Sequence, residues 1–508
     1  MALLTLANLA TAVLGYILLR TTYRILHNRY FHPLSQFPGP FWASATRLWI
    51  TWHNVLGQEV DVCERLHKKY GPVIRITPTM LLVSDATKLP LIYHRSADKS
   101  SHYISGSLGK TESIFNMQPH AMHAKYRKLA AAPYSFTNIK RMEGLIDVQI
   151  GRWIDKLTDT FEKTKREFDF CPWAVYMAYD VVSEVGFGAP FGFIEQGKDV
   201  AGLIQGMHDG LLPFGILARL YPFTNWVKKT WVGEKYLVAK PEHENGFGAM
   251  MRFRDKLIEK RLEDLKQGKE MGRVDLLQNF IDARDEDGKP LPLDYIKAEI
   301  LIVLIAGADT TGTAFQAFVQ FILKNPAVYA KMMDEIDSAT KSGKLSTPVP
   351  KHDEVLQHCP YYVACVKEAM RLIPSAPSIY PRLVSKGGVD LDGKFVAEGM
   401  ELTANPYLVH RDRNIYGEDA DEFRPERWLE DEEKAKEYEK YSMTFGYGSR
   451  ACLGRYVAQM EMYKAPLLFF RTFEIDLCER THGKARYQVK GGVAFFENMW
   501  IRIKKRGN

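Results

Sequence analysis

Chemistry in this chain gathers around one cysteine. Cys452 sits in Phe445-Gly446-Tyr447-Gly448-Ser449-Arg450-Ala451-Cys452-Leu453-Gly454, a glycine-rich loop running into a helical pattern that continues through Ala458. A thiol at a helix start meets free backbone N–H groups and the positive end of the helix dipole, and both favour the thiolate. Gly448 and Gly454 let backbone approach a flat macrocycle, and Arg450 suits a carboxylate on its edge. A second polar group, Ala306-Gly307-Ala308-Asp309-Thr310-Thr311, interrupts an apolar helical pattern from Leu293 to Asn325 that stops before Pro326. Gly307 weakens a helix by ~1 kcal/mol relative to alanine. Threonine hydroxyls bond back to preceding carbonyls and bend it. A groove is expected there, with an acid beside an alcohol, Asp309 and Thr310, offering a proton path.

Three further groups carry charge at readable spacing. Glu368 and Arg371, in VKEAMRLIP, share a helix face. Phe423-Arg424-Pro425-Glu426-Arg427-Trp428 follows before the cysteine. His123 and Arg127 lie one helical turn apart, and Arg382 follows Tyr380-Pro381. Imidazole and guanidinium both donate hydrogen bonds to carboxylates.

The spaced set from Phe445 through Arg450, Cys452 and Gly454 to Ala458 resembles the signature of the cytochrome P450 family at every specified position. That resemblance implies that Cys452 is the proximal ligand of haem iron and that Phe445 packs beside its sulfur. It implies that Glu368, Arg371 and Arg427 form a buried structural triad, and that Asp309 and Thr310 deliver protons for O2 activation. It makes His123, Arg127, Arg382 and Arg450 propionate partners, although His123 stands where the family often has tryptophan. His32-Pro33-Leu34, Phe37-Pro38-Gly39-Pro40 and the stretch from Tyr179 to Gly188 resemble microsomal P450s of filamentous fungi, broadly the pisatin-demethylase-like group.

The elements that must position these residues are mostly helical. Helical patterns run from Ile146 to Phe161, Phe247 to Lys266 and Leu276 to Ala283, with strand-like runs at Val73–Ile76, Met80–Ser84, Gly388–Phe395 and Val493–Lys504. The expected fold is mainly α with a small β-rich part, the cytochrome P450 fold, preceded by an N-terminal transmembrane helix. Residues 1–19 carry no charged side chain and approach the ~20 apolar residues that span a bilayer. Arg20, Arg24 and Arg29 follow, which predicts a retained anchor with the catalytic domain facing the cytosol. Residues 20–40 read as a basic and Pro/Gly hinge, and 41–508 as one haem-thiolate catalytic domain. The charge of +7 over 508 residues, without a long basic run, argues against a nucleic-acid arm. The six cysteines show no CxxC pair, hence no zinc framework or disulfide scaffold.

The family implies a monooxygenase with haem b, taking electrons from NADPH through a partner P450 reductase and inserting one oxygen atom into an apolar small molecule, in a fungal secondary-metabolite pathway at the endoplasmic reticulum membrane. Lys125, Lys128, Lys140 and Arg141 are candidates for the docking face. Substrate contacts are expected within Ser100–Phe115, Leu211–Val232, Ile302–Ala306, Ser375–Tyr380 and Val493–Phe496, with His102, Tyr103, Ile302, Ala306, Ser378 and Phe495 as the named candidates. The competing readings are a haem-thiolate isomerase or dehydratase that needs no O2 activation, and a non-catalytic membrane-anchored haem-binding protein.

Overall fold

A computed structural model describes residues 2–104, 109–269, 275–480 and 485–507. Residues 105–108 of the expected substrate loop lie outside these. The chain opens with a helix, Ala2–Leu26, and the stretch Asn8–Phe31 is long and apolar enough to cross a membrane, with none of it buried against the protein. Leu293–Lys324 passes the same test of length and composition but is mostly buried inside the fold.

The helix does not stop at residue 19. Arg20 and Arg24 belong to it, and the backbone widens into a π-helical turn over His27–Phe31 before His32 turns extended. Nothing in residues 20–26 breaks a helix, and the first proline is Pro33. The Pro/Gly segment is docked on the body. Leu34 and Phe37 are buried, and the Arg75 N–H donates to the Pro38 carbonyl at 2.8 Å. A side chain on Gly39 would collide with the Arg75 carbonyl.

The body is helical around two packed elements. Helix Asp309–Lys324 lies against helix Phe170–Phe187, and glycines set their spacing: a Cβ on Gly312 would stand 2.6 Å from Val175 Cγ2, and one on Gly307 3.0 Å from Val182 Cγ1. Trp153 of helix Glu143–Leu157 is fully buried among Phe170, Phe315 and Phe469, with ring centroids 5.3–6.4 Å apart, and its indole N–H donates to the Trp173 carbonyl at 2.9 Å. Apolar positions at helical spacing dictate this core.

One expectation is corrected here. The pattern from Leu293 to Asn325 reads as one helix, but two form, Leu293–Ala306 and Asp309–Lys324, interrupted at Gly307–Ala308. Gly307 keeps helical dihedrals, Ala308 departs from them at φ −104°, and Thr310 Oγ1 donates to the Ala306 carbonyl at 2.9 Å, drawing a carbonyl acceptor out of the regular ladder.

The β-rich part includes a four-stranded sheet in the order Val73–Thr77, Met80–Val83, Glu401–Ala404, Arg382–Leu383, with the middle pair parallel and in register from Met80 opposite Glu401. Its Arg382 edge is extended by a bridge to Lys99. A hairpin pairs Arg486–Lys490 with Val493–Glu497, and Trp500–Lys505 lies between Phe168–Asp169 and Phe473–Leu477 in a third sheet.

Candidate active site

The cysteine loop is a close turn on a rigid base. The Cys452 N–H donates to the Phe445 carbonyl at 2.7 Å, and Gly448, at φ +69°, takes a backbone conformation that L side chains rarely adopt while pressed on the Tyr93 carbonyl. The helix begins at Arg455, so the N–H groups of Gly454 and Arg455 point at the Cys452 sulfur. Burial pushes the thiol up, while those N–H groups and the charges of Arg127 and Arg455 pull it back down. Protein surrounds Cys452 on all sides, yet its side chain is open. The sulfur therefore faces an internal opening. The other five cysteines are buried free thiols, and no cluster of three or more His, Cys, Asp or Glu side chains forms a metal site among the described residues. Phe445 is partly buried against the main core.

Four cations converge beside this opening. The charges of Arg450, Lys99, Arg127 and Arg382 all act on His123, and together with burial, the larger effect, they hold its imidazole down at about 3. Lys99 is buried and held well below the usual lysine range, by burial first and then by Arg382, Arg450 and Arg127. Arg450 is lowered to about 10 by burial and by Arg382. Arg450 donates to the Met117 and Gln118 carbonyls at 2.7 Å, and Arg382 to the Tyr103 hydroxyl at 3.0 Å. Arg127 makes no ion pair among the described residues. Lys99 and Arg382 are buried and Arg127 and Arg450 half-buried, and positive charge so placed is unfavourable without an anion.

Sequence reasoning missed Lys99, which has no motif; only the sheet edge brings it to Arg382. It placed Tyr103 on the substrate, whereas the structure bonds Tyr103 to Arg382 and packs it against Lys99, whose Nζ lies 4.2 Å from the ring centroid. His102, also expected at the substrate, is buried in the field of Arg219 and Arg47, and its Nδ1 has no partner among the described residues. Arg219 is itself paired with the buried Glu59. His102 thus belongs to the packing beneath helix Leu203–Arg219.

Glu368, Arg371 and Arg427 come together fully buried. Arg371 Nε and Nη2 and Arg427 Nε each meet Glu368 at 2.8 Å, and the Trp428 indole donates to the same carboxylate at 2.9 Å. The two guanidiniums hold Glu368 below the usual carboxylate range against the opposing effect of burial. His410 is a member that the sequence did not reveal. Its Nδ1 lies 2.9 Å from the Arg371 carbonyl, and its Nε2 accepts the Met443 N–H at 2.8 Å, which fixes Nδ1 as the protonated nitrogen. Burial lowers it to about 3. His410 therefore ties the triad to the segment that leads into Phe445 and Cys452.

At the helix break, Thr310 and Asp309 do not bond to each other. Consecutive residues of a helix point ~100° apart. Thr310 back-bonds to Ala306, and the Ser375 hydroxyl donates to the Thr310 carbonyl at 2.6 Å. Asp309, almost wholly buried, turns the other way: Tyr179 Oη lies 3.5 Å from Oδ2, and His208 Nε2 lies 3.3 Å from Oδ1. Ala306, the last residue of its helix, is exposed between buried Leu304 and Ala308, so it too faces an opening, and Ile302, one turn earlier, is partly buried. Ser378 packs against Gly492 of the 486–497 hairpin, and Phe495 of that hairpin stacks on His208 with centroids 4.7 Å apart. Of the proposed docking residues, Lys140 is already paired with Glu143 at 2.9 Å and Asp353 at 3.0 Å.

These residues fit a haem. An open but enclosed thiol supplies a soft axial ligand, and the uncompensated cation cluster supplies partners for two propionates. The comparisons with known proteins agree. The model of the family described as Cytochrome P450 matches residues 38–495. Quiannulatic acid synthase of Emericella variicolor is 38% identical over 99% of this chain and 96% of its own length. Cytochrome P450 monooxygenase gsfF of Penicillium aethiopicum is 31% identical over 92% of both chains, and cicH of Emericella nidulans 32% identical over 88% of this chain and 89% of its own. The chain belongs to the cytochrome P450 family: it is a haem-thiolate monooxygenase that uses haem b, with electrons from NADPH passed on by a partner reductase.

Proposed function

We propose that this monooxygenase hydroxylates an apolar small molecule of fungal secondary metabolism, with Cys452 as the axial ligand of its haem. The observation that carries this reading is the Cys452 sulfur, surrounded by protein yet open to an internal space and flanked by buried cations. Bound haem supplies the reduction of O2 by two electrons and two protons, one oxygen atom going to substrate and the other to water.

The chain's own residues do the rest. The N–H groups of Gly454 and Arg455 stabilise negative charge on the sulfur. Arg450, Arg382, Arg127, Lys99 and His123 hold the propionates, His123 as a neutral donor at physiological pH. The Glu368–Arg371–Arg427 triad with His410 fixes the loop that carries the thiol. Asp309 and Thr310 move protons at the helix break, Asp309 by turning from its partners toward the opening. Ala306, Ile302 and Ser378 line the substrate side. The name of one relative, an acid synthase, fits an oxidative biosynthetic step. An intact acid–alcohol pair favours the monooxygenase over a haem-thiolate isomerase. The helix Ala2–Leu26 anchors the enzyme in the endoplasmic reticulum membrane, with the body on the cytosolic side as Arg20, Arg24 and Arg29 direct.

The test is the absorbance of dithionite-reduced protein under carbon monoxide. The expected result is the strongly red-shifted Soret band of thiolate ligation, absent in Cys452→Ala. A Cys452→Ala protein that keeps that band overturns the assignment.

A further inference from the structure

Delivery of protons by Asp309 leaves open how protons reach it, because its side chain is only 3% exposed. Tyr179, one of its contacts, is buried as well. The other is His208, whose side chain is 30% exposed. His208 thus touches a buried carboxylate with one edge and keeps part of its ring exposed.

Its placement is held by several elements. Helix Leu203–Arg219 carries it. The ring lies nearly parallel to Phe495, at 17°. The Phe495 hairpin is bonded to the Asp309–Lys324 helix, since Thr313 Oγ1 donates to the Ala494 carbonyl at 2.6 Å and the Phe496 N–H donates to Gln316 at 3.2 Å. Ring and carboxylate are therefore referenced to the same helix.

We propose that His208 is a positioning and proton-entry residue, through which solvent protons reach Asp309. The inference rests on the reading of Asp309 as the delivering acid. In the step, the imidazolium Nε2–H gives its proton to Asp309 Oδ1, leaving a neutral ring and a carboxylic acid. The carboxyl group turns into the opening and releases the proton there, and solvent re-protonates the ring from its exposed side. The charged groups facing His208 are Asp309 from the broken helix, Lys490 and Glu497 from the hairpin, and the Tyr179 hydroxyl behind Asp309. Burial disfavours the imidazolium, but the hydrogen bond and charge of Asp309 outweigh it, with Lys490 opposing and Glu497 assisting, so the ring keeps its proton above the usual histidine value. Such a ring loses its proton at higher pH than a free imidazole does.

Two measurements on the full-length haem-loaded protein test this. The first is histidine C2 hydrogen–deuterium exchange across pH, read by mass spectrometry on the peptide containing His208. The midpoint in the wild type is expected above 6.5 and should fall in Asp309→Asn; a midpoint unmoved by that substitution overturns the coupling. The second is NADPH oxidation with a P450 reductase and O2 alone, following the fraction of electrons released as peroxide. In the wild type this fraction should rise through the same midpoint. In His208→Gln it should lose that pH dependence, and in His208→Phe, which keeps the stacking, it should stay high throughout. The thiolate spectrum with carbon monoxide confirms folded variants. A wild-type pH profile retained in His208→Gln, while Asp309→Asn raises peroxide several-fold, overturns the role of His208 alone. Unchanged peroxide in Asp309→Asn overturns Asp309 as the delivering acid, and this inference with it.

Discussion

Beneath the cysteine loop, Arg371, Arg427 and His410 meet their partners at 2.8 Å in fully buried surroundings. At the helix break, Asp309 meets His208 and Tyr179 at 3.3 and 3.5 Å, beside an exposed Ala306 and an interrupted ladder. The first network has satisfied its donors with good geometry, and a buried ion cluster of that kind is costly to disturb. The second has long contacts that a small rotation releases. The ligand holding proposed for the first region wants one fixed geometry, whereas the proton transfer proposed for the second wants a group that can swing between two partners.

The comparison breaks most visibly at Glu368. Glu368→Ala strands two buried guanidiniums and should cost about 3–5 kcal/mol, seen as loss of haem-loaded protein and a lower urea midpoint. His410→Ala leaves the Met443 N–H and the Arg371 carbonyl unpaired and should cost about 2–6 kcal/mol at ~1–3 per buried group. A variant as stable as wild type would show that the loop does not depend on this link.

Acid should attack the same region. His410 and His123 have folded values of about 3, against ~6.5 when unfolded. Between these limits the unfolded chain binds protons that the folded one does not, so stability is fully present above pH ~6.5 and falls as pH drops toward ~3. A urea midpoint independent of pH in that window would contradict it.

Gly312→Ala presses a methyl group into Val175 and should cost about 1–3 kcal/mol by overpacking, measurable by thermal unfolding. Thr310→Ala should change stability least, by under ~1 kcal/mol as a single side-chain hydrogen bond, yet raise the peroxide released per NADPH. Unchanged coupling with the true substrate would remove Thr310 from the proton path. Glu368→Ala and His410→Ala thus lose the protein, and Thr310→Ala loses only the coupling.

Legibility in the sequence follows the same division. The segment Phe445–Cys452–Gly454 and the Glu368–Arg371 pair were readable because local spacing alone fixes their geometry. Helix Phe247–Lys266 was readable end to end, because its periodicity is local as well. The helix break was readable as a bend at Gly307 but not as two helices, since the hydrogen bonding around Ala306 decides it. Tyr103 and His102 were assigned to the substrate from loop position, and the contacts of Tyr103 with Arg382 and of His102 with the field of Arg219 were not legible there.

Through its resemblance to the cytochrome P450 family the sequence pointed to the reaction class, and its own residue types at short, fixed separations marked the cysteine loop and the apolar N-terminal helix. Tertiary structure decided the rest. Lys99 reaches Arg382 across a sheet edge, His410 reaches Met443 from 33 residues away, and His208 reaches Asp309 from 101. Contacts across such separations leave no local period in the chain. They exist because burial of the apolar core brings distant elements together, and a polar side chain caught there must find a partner or stay unsatisfied.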